Sequence, residues 1–130
     1  MRWDFWVGSP DGRPTMFVKH LLCHFGCHLD FHKFVKADDE ECFHTHPAYA
    51  IRIVLWGGYI EQMEDRSFFM WLPGMIGLVR PSLSHRIDGL LNGYVSYSLW
   101  IRFWKIAPIS LRGSGWPRDI IPYGDAKLEP

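Results

Sequence analysis

The chain has 130 residues, an ordinary size for one domain, and we expect a single domain over residues 1–130. Its 14 Lys+Arg balance 14 Asp+Glu, so the formal net charge is zero with neutral histidines. This balance argues against a nucleic-acid polymer as partner, since that role needs an excess of basic residues. The longest apolar stretch is too short and too broken by glycine and proline to cross a bilayer, and residues 1–6 lack the plain apolar run of a signal peptide. We therefore expect a cytoplasmic protein with no membrane partner.

Cysteine usage agrees with a reducing compartment. Cys23, Cys27 and Cys42 are an odd number and cannot form a closed disulfide framework. Cys23 and Cys27 lie beside His24 and His28, but the second ligand pair that a zinc finger would need at matching spacing is missing.

Turn residues divide the chain into short segments whose apolar patterns predict strands. The predicted strands cover residues 16–22, 28–36, 49–56, 59–63, 67–72, 75–79, 85–88 and 94–104. Asn92-Gly93 is typical of a hairpin turn, because both residues tolerate positive φ. Residues 37–41, four of which are acidic, are predicted to form an exposed loop. Many short strands and almost no helix indicate an all-β fold, a small antiparallel sandwich or barrel with a core at about 16–105 and an irregular tail at 106–130.

The sequence His44-Thr45-His46 precedes an apolar strand, and it is the most informative pattern in the chain. Two histidines two residues apart on a strand project from the same face, so both imidazoles can reach one metal ion. His85 lies on a separate segment and becomes a third ligand if the two segments meet across a barrel. The alternative is a surface pair beside the acidic loop.

The same residues resemble the cupin superfamily: the HxH pair, the glycine after the next strand, the Pro73-Gly74 turn and the later histidine follow the two cupin motifs in order. The chain is more similar still to small, largely uncharacterised cupin-like proteins of phage and bacterial genomes. That likeness spans residues 29–88, and it fades beyond Trp100. Its segments are LDFHKF from Leu29, DDE from Asp38, HTHP from His44, LWGGYIE from Leu55, and Arg80 leading to HRI from His85.

The resemblance implies a cupin-type jelly roll, also called a double-stranded β-helix, in which His44, His46 and His85 are metal ligands. The usual glutamate ligand is replaced by Ala50 or Ile51. The expected cofactor is therefore a divalent ion (Zn, Fe, Mn or Ni) held by three histidines or with help from another strand. His32 and Glu61 are the candidates for that help, and Glu61 is also the candidate general base.

Arg52 shares a strand face with His44 and His46 when residues are counted by twos, which points its guanidinium into the barrel. It can clamp a substrate carboxylate or phosphate, or pair internally with Asp30 or Glu61. Further candidates for substrate binding are Arg80, Arg102 and Tyr59. On segment 94–104, the face with Ser96, Ser98, Trp100 and Arg102 is typical of a pocket lining, and the face with Tyr97, Leu99 and Ile101 is typical of core.

Two functions follow as hypotheses. The first is a metal-dependent cupin enzyme, a hydrolase or a dioxygenase, acting on a small anionic substrate. The alternative is a non-catalytic cupin module that sequesters a small anionic ligand, conceivably nucleotide-like. A homodimer through apolar sheet faces stays open, and the location is the host cytoplasm if the protein is phage-encoded.

Overall fold

A computed structural model describes residues 4–6, 13–38, 42–112 and 127–128. Every regular element in these ranges is a β-strand. No helix among the described residues has the length and apolar character that crossing a membrane requires.

The strands form two six-stranded sheets. Their bounds are β1 Asp4–Trp6, β2 Met16–His24, β3 Cys27–Phe34, β4 Phe43–His44, β5 Ala50–Trp56, β6 Tyr59–Met63, β7 Phe68–Trp71, β8 Ile76–Val79, β9 His85–Leu90, β10 Ser96–Arg102, β11 Ser110–Arg112 and β12 Lys127–Leu128. The first sheet has the order β1-β2-β3-β10-β5-β8 and the second the order β12-β11-β4-β9-β6-β7. Pairing is antiparallel throughout except between β11 and β12. This is the predicted all-β jelly-roll architecture.

The main core lies between the two sheets, because alternate residues of each strand point inward. Phe34 and Val54 of the first sheet pack there with Tyr59, Trp71 and Ile87 of the second. The chain crosses from the first sheet to the second between β5 and β6, and the Gly57-Gly58 turn makes this crossing possible. Both glycines have positive φ, and a Cβ on Gly57 would lie 2.3 Å from the Val95 carbonyl oxygen.

The eight predicted strands are confirmed with small shifts at their ends. Sequence reasoning missed β1, β4 and β11, which are short and carry no alternating pattern of their own. Residues 110–112 were predicted to be irregular tail, but they form β11 and pair with β4. Residues 106–109 of the predicted tail are irregular, β12 is a further strand that was not predicted, and the remaining tail residues lie outside the described ones.

Two predictions about exposure are wrong. Asp38, assigned to an exposed acidic loop, is 5% exposed because its carboxylate accepts a hydrogen bond from the Ile87 backbone N–H at 2.8 Å. On β10, the face of Tyr97, Leu99 and Ile101 was predicted to be core, yet it is the outer, half-buried face. The buried face carries Ser96 and Ser98 instead. Alternation separates two faces of a strand but does not say which one faces inward.

Candidate metal centre and cavity

Three histidines converge between β4 and β9. His44 pairs directly with His85 across these two strands, and His46 follows two residues after His44 on the same side of the chain. One ligand atom from each of the three residues lies within 4.8 Å of the others. The geometric expectation that distant segments bring these imidazoles together is therefore met.

The environment keeps the imidazoles of His44 and His46 uncharged. Burial, followed by repulsion from His85, lowers the pKa of His44 and of His46 well below the usual value. The Nε2 atoms of His46 and His85 are 2.6 Å apart. Two nitrogen lone pairs at this separation repel each other unless a proton or a metal ion lies between them.

Glu61 fixes the orientation of His85. The Nδ1–H of His85 donates a short hydrogen bond to Glu61 Oε2, which leaves Nε2 as the nitrogen that faces His46. The Glu61 side chain is fully buried. Burial opposes its ionisation, but His85 and Arg52 outweigh that cost and hold the pKa of the carboxyl well below its usual range. A carboxylate behind a ligand histidine sets the tautomer and raises the basicity of the ring.

Arg52 completes a closed network behind His85. Its Nη1 and Nη2 donate to the two carboxylate oxygens of Glu61 at 2.5 Å and 3.0 Å, and Nη1 also donates to the Tyr59 hydroxyl at 3.1 Å. The inward direction predicted for Arg52 is confirmed, and of its two interpretations the structure shows the internal pair with Glu61. Burial raises the pKa of Tyr59 to about 12, so this hydroxyl stays protonated at neutral pH.

Trp71 covers the other side of this network. The Arg52 guanidinium carbon lies 3.9 Å from the centroid of the Trp71 ring, and the indole N–H donates to Glu61 Oε1 at 3.3 Å. The indole lies directly on Gly77 of β8, where a Cβ would come within 2.1 Å of the ring. Only glycine lets the indole approach this strand so closely.

In front of the histidines is a cavity of about 420 Å³, within the range of small-molecule sites. Its walls combine the three histidines with mainly apolar side chains and a few charged groups. The charged side chains are Asp4, Asp30, Asp38 and Arg102. The cavity also meets several buried polar atoms that lack a hydrogen-bond partner among the described residues: Trp100 Nε1, His32 Nδ1 and Arg102 Nε.

The other predicted site residues are distributed differently. His32 lines the cavity but stacks on Trp100 with ring centroids 4.7 Å apart, outside the group of three histidines. Burial, helped by the charge of Arg102, lowers the pKa of His32 to about 3. Arg102 lines the cavity as well. Arg80 is exposed beside a separate depression, and Tyr59 is fully buried within the Arg52 network.

Sequence reasoning missed Asp38 as a cavity residue. Burial raises the pKa of Asp38 to about 6, against the hydrogen bond from Ile87 and the charge of His85. Its acidic neighbours in sequence suggested a solvated loop, and no local pattern indicated that one carboxylate turns inward.

Comparisons with known proteins bear on the fold. No family model and no curated protein sequence matches the chain. Solved structures do match it. A cupin-like protein from Thermotoga maritima MSB8 has a TM-score of 0.61 and 20% identity over 76% of this chain and 77% of its own. The Fe(II) form of HppE has a TM-score of 0.62 and 12% identity, covering 78% of this chain and 57% of its own. The DMSP lyase DddQ from Ruegeria pomeroyi DSS-3 has a TM-score of 0.61 and 16% identity, covering 78% of this chain and 55% of its own.

The fold is that of the cupins. The nearer likeness to phage and bacterial cupin-like proteins stays a prediction, as do the homodimer and the cytoplasmic location.

The residues of this centre suit a divalent metal ion. Three imidazoles, two buried and that of His46 half-buried, converge at the cavity wall; two of them have lowered pKa values, and the third is oriented by a carboxylate. Nitrogen ligands of this kind bind zinc, iron, manganese and nickel, so the donor set leaves the metal's identity open. Ala50 is a cavity residue with no ligand atom, and Glu61 sits behind His85 rather than beside it. The missing glutamate ligand is therefore not replaced by Glu61 in this arrangement.

Proposed function

We propose that the chain is a metal-dependent cupin enzyme that acts on a small anionic substrate. His44, His46 and His85 are the proposed ligands, because their nitrogens converge at the wall of a cavity of substrate size. This convergence is the observation that carries the proposal. It is supported by one fold neighbour, HppE, whose structure is that of an Fe(II) form.

Glu61 is proposed as a positioning residue and not as the general base. Both of its oxygens are engaged by Arg52, His85 and Trp71, so neither is available to accept a proton from a substrate in the cavity. Its contribution is to hold the Nδ1 proton of His85 and keep Nε2 directed at the metal position. A bound divalent ion would supply Lewis-acid activation of water or of a substrate oxygen.

Arg102 is the proposed contact for the anionic group of the substrate. Among the described residues it is the arginine that lines the cavity, and its Nε has no hydrogen-bond partner there. A guanidinium matches a carboxylate or a phosphate with two parallel hydrogen bonds. The indole of Trp100, which also lines the cavity, offers an apolar face and an unpartnered N–H beside it.

Metal analysis of untagged protein tests the centre. We expect His46→Ala and His85→Ala to lose the ion held between these residues, and His24→Ala to keep the full metal content. His24 is the matched control because it is an exposed histidine outside the group. Wild-type protein that binds no added zinc, iron or manganese, or variants that both bind as many ions as wild type, would overturn the metal centre.

Incubation of the metal-loaded protein with small carboxylates and phosphate esters then separates catalysis from sequestration. A changed compound that forms with wild type and not with His85→Ala supports an enzyme. A compound recovered unchanged after heat release, with no product at any metal load, favours the non-catalytic binding module.

A further inference from the structure

A second group of potential metal ligands lies on the first sheet, away from β4 and β9. It consists of His20 on β2 and of His28 and Asp30 on β3, and one ligand atom of each lies within 4.8 Å of the others. Strand geometry explains the grouping. His28 and Asp30 are two residues apart and share a face of β3, and His20 pairs with Asp30 across the hairpin.

A carboxylate outside this group orients His20. Asp30 Oδ1 lies 2.6 Å from His20 Nδ1, and Asp4 Oδ2 on β1 lies 3.1 Å from His20 Nε2. At this separation a proton lies between His20 Nδ1 and Asp30 Oδ1, and a metal ion would take the place of that proton while the Nε2 proton stays directed at Asp4. In many metal sites a carboxylate likewise accepts a hydrogen bond from the second ring nitrogen of a ligand histidine and so orients the ring.

His28 carries a buried ring nitrogen whose hydrogen-bonding capacity is unused within the described part of the chain. Its Nδ1 has no hydrogen-bond partner among the described residues, while its Nε2 lies 3.6 Å from Cys23 Sγ. A proton on Nε2 can be donated to that sulphur, which leaves the lone pair on Nδ1. Burial and the charge of Arg102 lower the pKa of His28.

We propose that His20, His28 and Asp30 form a second metal site that binds Zn²⁺ or a similar divalent transition-metal ion. Two imidazoles and one carboxylate are a donor set that zinc uses, with the remaining position open to water. The side chain of His20 is 41% exposed, so an ion has access from solvent. His20 Nδ1 and Asp30 Oδ1 are closer than the roughly 3.3 Å expected for two ligands of one tetrahedral zinc ion. The side chains of His20 and Asp30 would therefore move slightly apart when an ion binds between them.

A cation here would change the charge of the cavity, since His20, Asp30 and Asp4 all line it. The described cavity lining holds the carboxyl groups of Asp4, Asp30 and Asp38 and one guanidinium, that of Arg102. With the ion, two positive charges are added and an anionic ligand is favoured electrostatically. This last consequence depends on the proposed function, but the second site itself does not.

Zinc titration of chelator-treated, untagged wild type and variants tests the site, with stoichiometry read by calorimetry and by metal analysis after desalting. We expect wild type to bind two ions per chain and His85→Ala to bind one. Asp30→Asn and His28→Gln should each bind one as well, and His24→Ala should keep both. We expect Asp4→Asn to keep both ions but to weaken the second site about tenfold, as loss of an outer-shell carboxylate does.

The two sites can fail separately. A single wild-type ion that is lost in His28→Gln and kept in His85→Ala supports the second site and overturns the histidine centre. A single ion with the opposite pattern overturns the second site, as does a stoichiometry of two that survives both Asp30→Asn and His28→Gln. His28→Gln alters a half-buried residue and keeps the test available if Asp30→Asn, at a buried position, fails to fold.

Discussion

The regions behind and in front of His85 have opposite character. Behind it, Arg52, Glu61, Tyr59 and Trp71 form a buried network in which both carboxylate oxygens and both terminal guanidinium nitrogens are engaged. In front of it, the cavity is lined by Arg102, His32 and Trp100, and each has a buried nitrogen without a hydrogen-bond partner among the described residues. Buried polar groups are normally satisfied, and the rear network leaves one nitrogen, Arg52 Nε, without a partner among the described residues, so the unpartnered nitrogens are concentrated at the front.

The largest effect is expected in the rear region. Glu61→Ala leaves the Arg52 guanidinium buried without its carboxylate, and we expect the free energy of unfolding to fall by about 3–5 kcal/mol. The matched control is Glu64→Ala, which breaks an arginine–carboxylate pair with Arg112 at the surface, where the side chains are 39% and 41% exposed. That change should cost about 0–1 kcal/mol. Urea denaturation measures both, and equal losses would contradict the contrast.

A smaller effect is expected in the front region, where a substitution should change the affinity for an anionic ligand and not the stability of the fold. Arg102→Gln should weaken the binding of butyrate about tenfold, because a charge-assisted hydrogen bond is lost. Binding of the neutral analogue butyramide should hardly change. Arg80→Gln is the control, since Arg80 lies beside a different depression. Calorimetry at one fixed metal load gives both affinities, and an equal loss in the two arginine variants would remove Arg102 from substrate binding.

The smallest effect concerns Asp38, which faces the cavity. Its pKa is raised to about 6 in the folded protein, so the folded state binds this proton more tightly than the unfolded chain does. The resulting stabilisation is complete at low pH and is lost as the pH rises through about 6. Asp38→Asn keeps an acceptor for the Ile87 N–H and has no proton to lose.

Between about pH 5 and about pH 7.5, we therefore expect the variant to gain about 1 kcal/mol relative to wild type. The buried histidines give a pH dependence of stability with the opposite sign. It is present in both proteins, so it cancels when the stability of wild type is subtracted from that of the variant. Urea midpoints at the two pH values measure this gain. Asp65→Asn, at an exposed position, should show no such gain, and a flat difference for Asp38→Asn would show that its carboxyl is ionised throughout.

Alternation along the chain predicted much of the fold and part of the site. Counting by twos from His44 correctly placed Arg52 and Val54 on the buried face of β5. His85 was assigned through the resemblance to cupins, and its pairing with His44 agrees with that assignment. These features depend on the two-residue period of a strand or on the order of motifs along the chain, and both can be read from a single sequence.

Contacts between strands could not be predicted in the same way. The partner of Arg52 was left open between Asp30 and Glu61, because the choice depends on how the two sheets face each other. The grouping of His20 with His28 and Asp30 depends on the β2–β3 register, which includes a shift between His20 and Leu22. His20 and His28 are an even number of residues apart, which is compatible with several registers, and only packing selects one of them.

The contact between Trp71 and Gly77 has a consequence for sequence variation. Gly77 lies on an edge strand and does not line the cavity, and its φ is not positive. Saturation mutagenesis should nevertheless find this position among the least tolerant in the chain, with even alanine rejected. A methyl group there displaces the indole that covers the guanidinium, and the disturbance passes through the carboxylate to the histidine. Relatives that have lost this glycine should therefore be found to have changed the tryptophan as well.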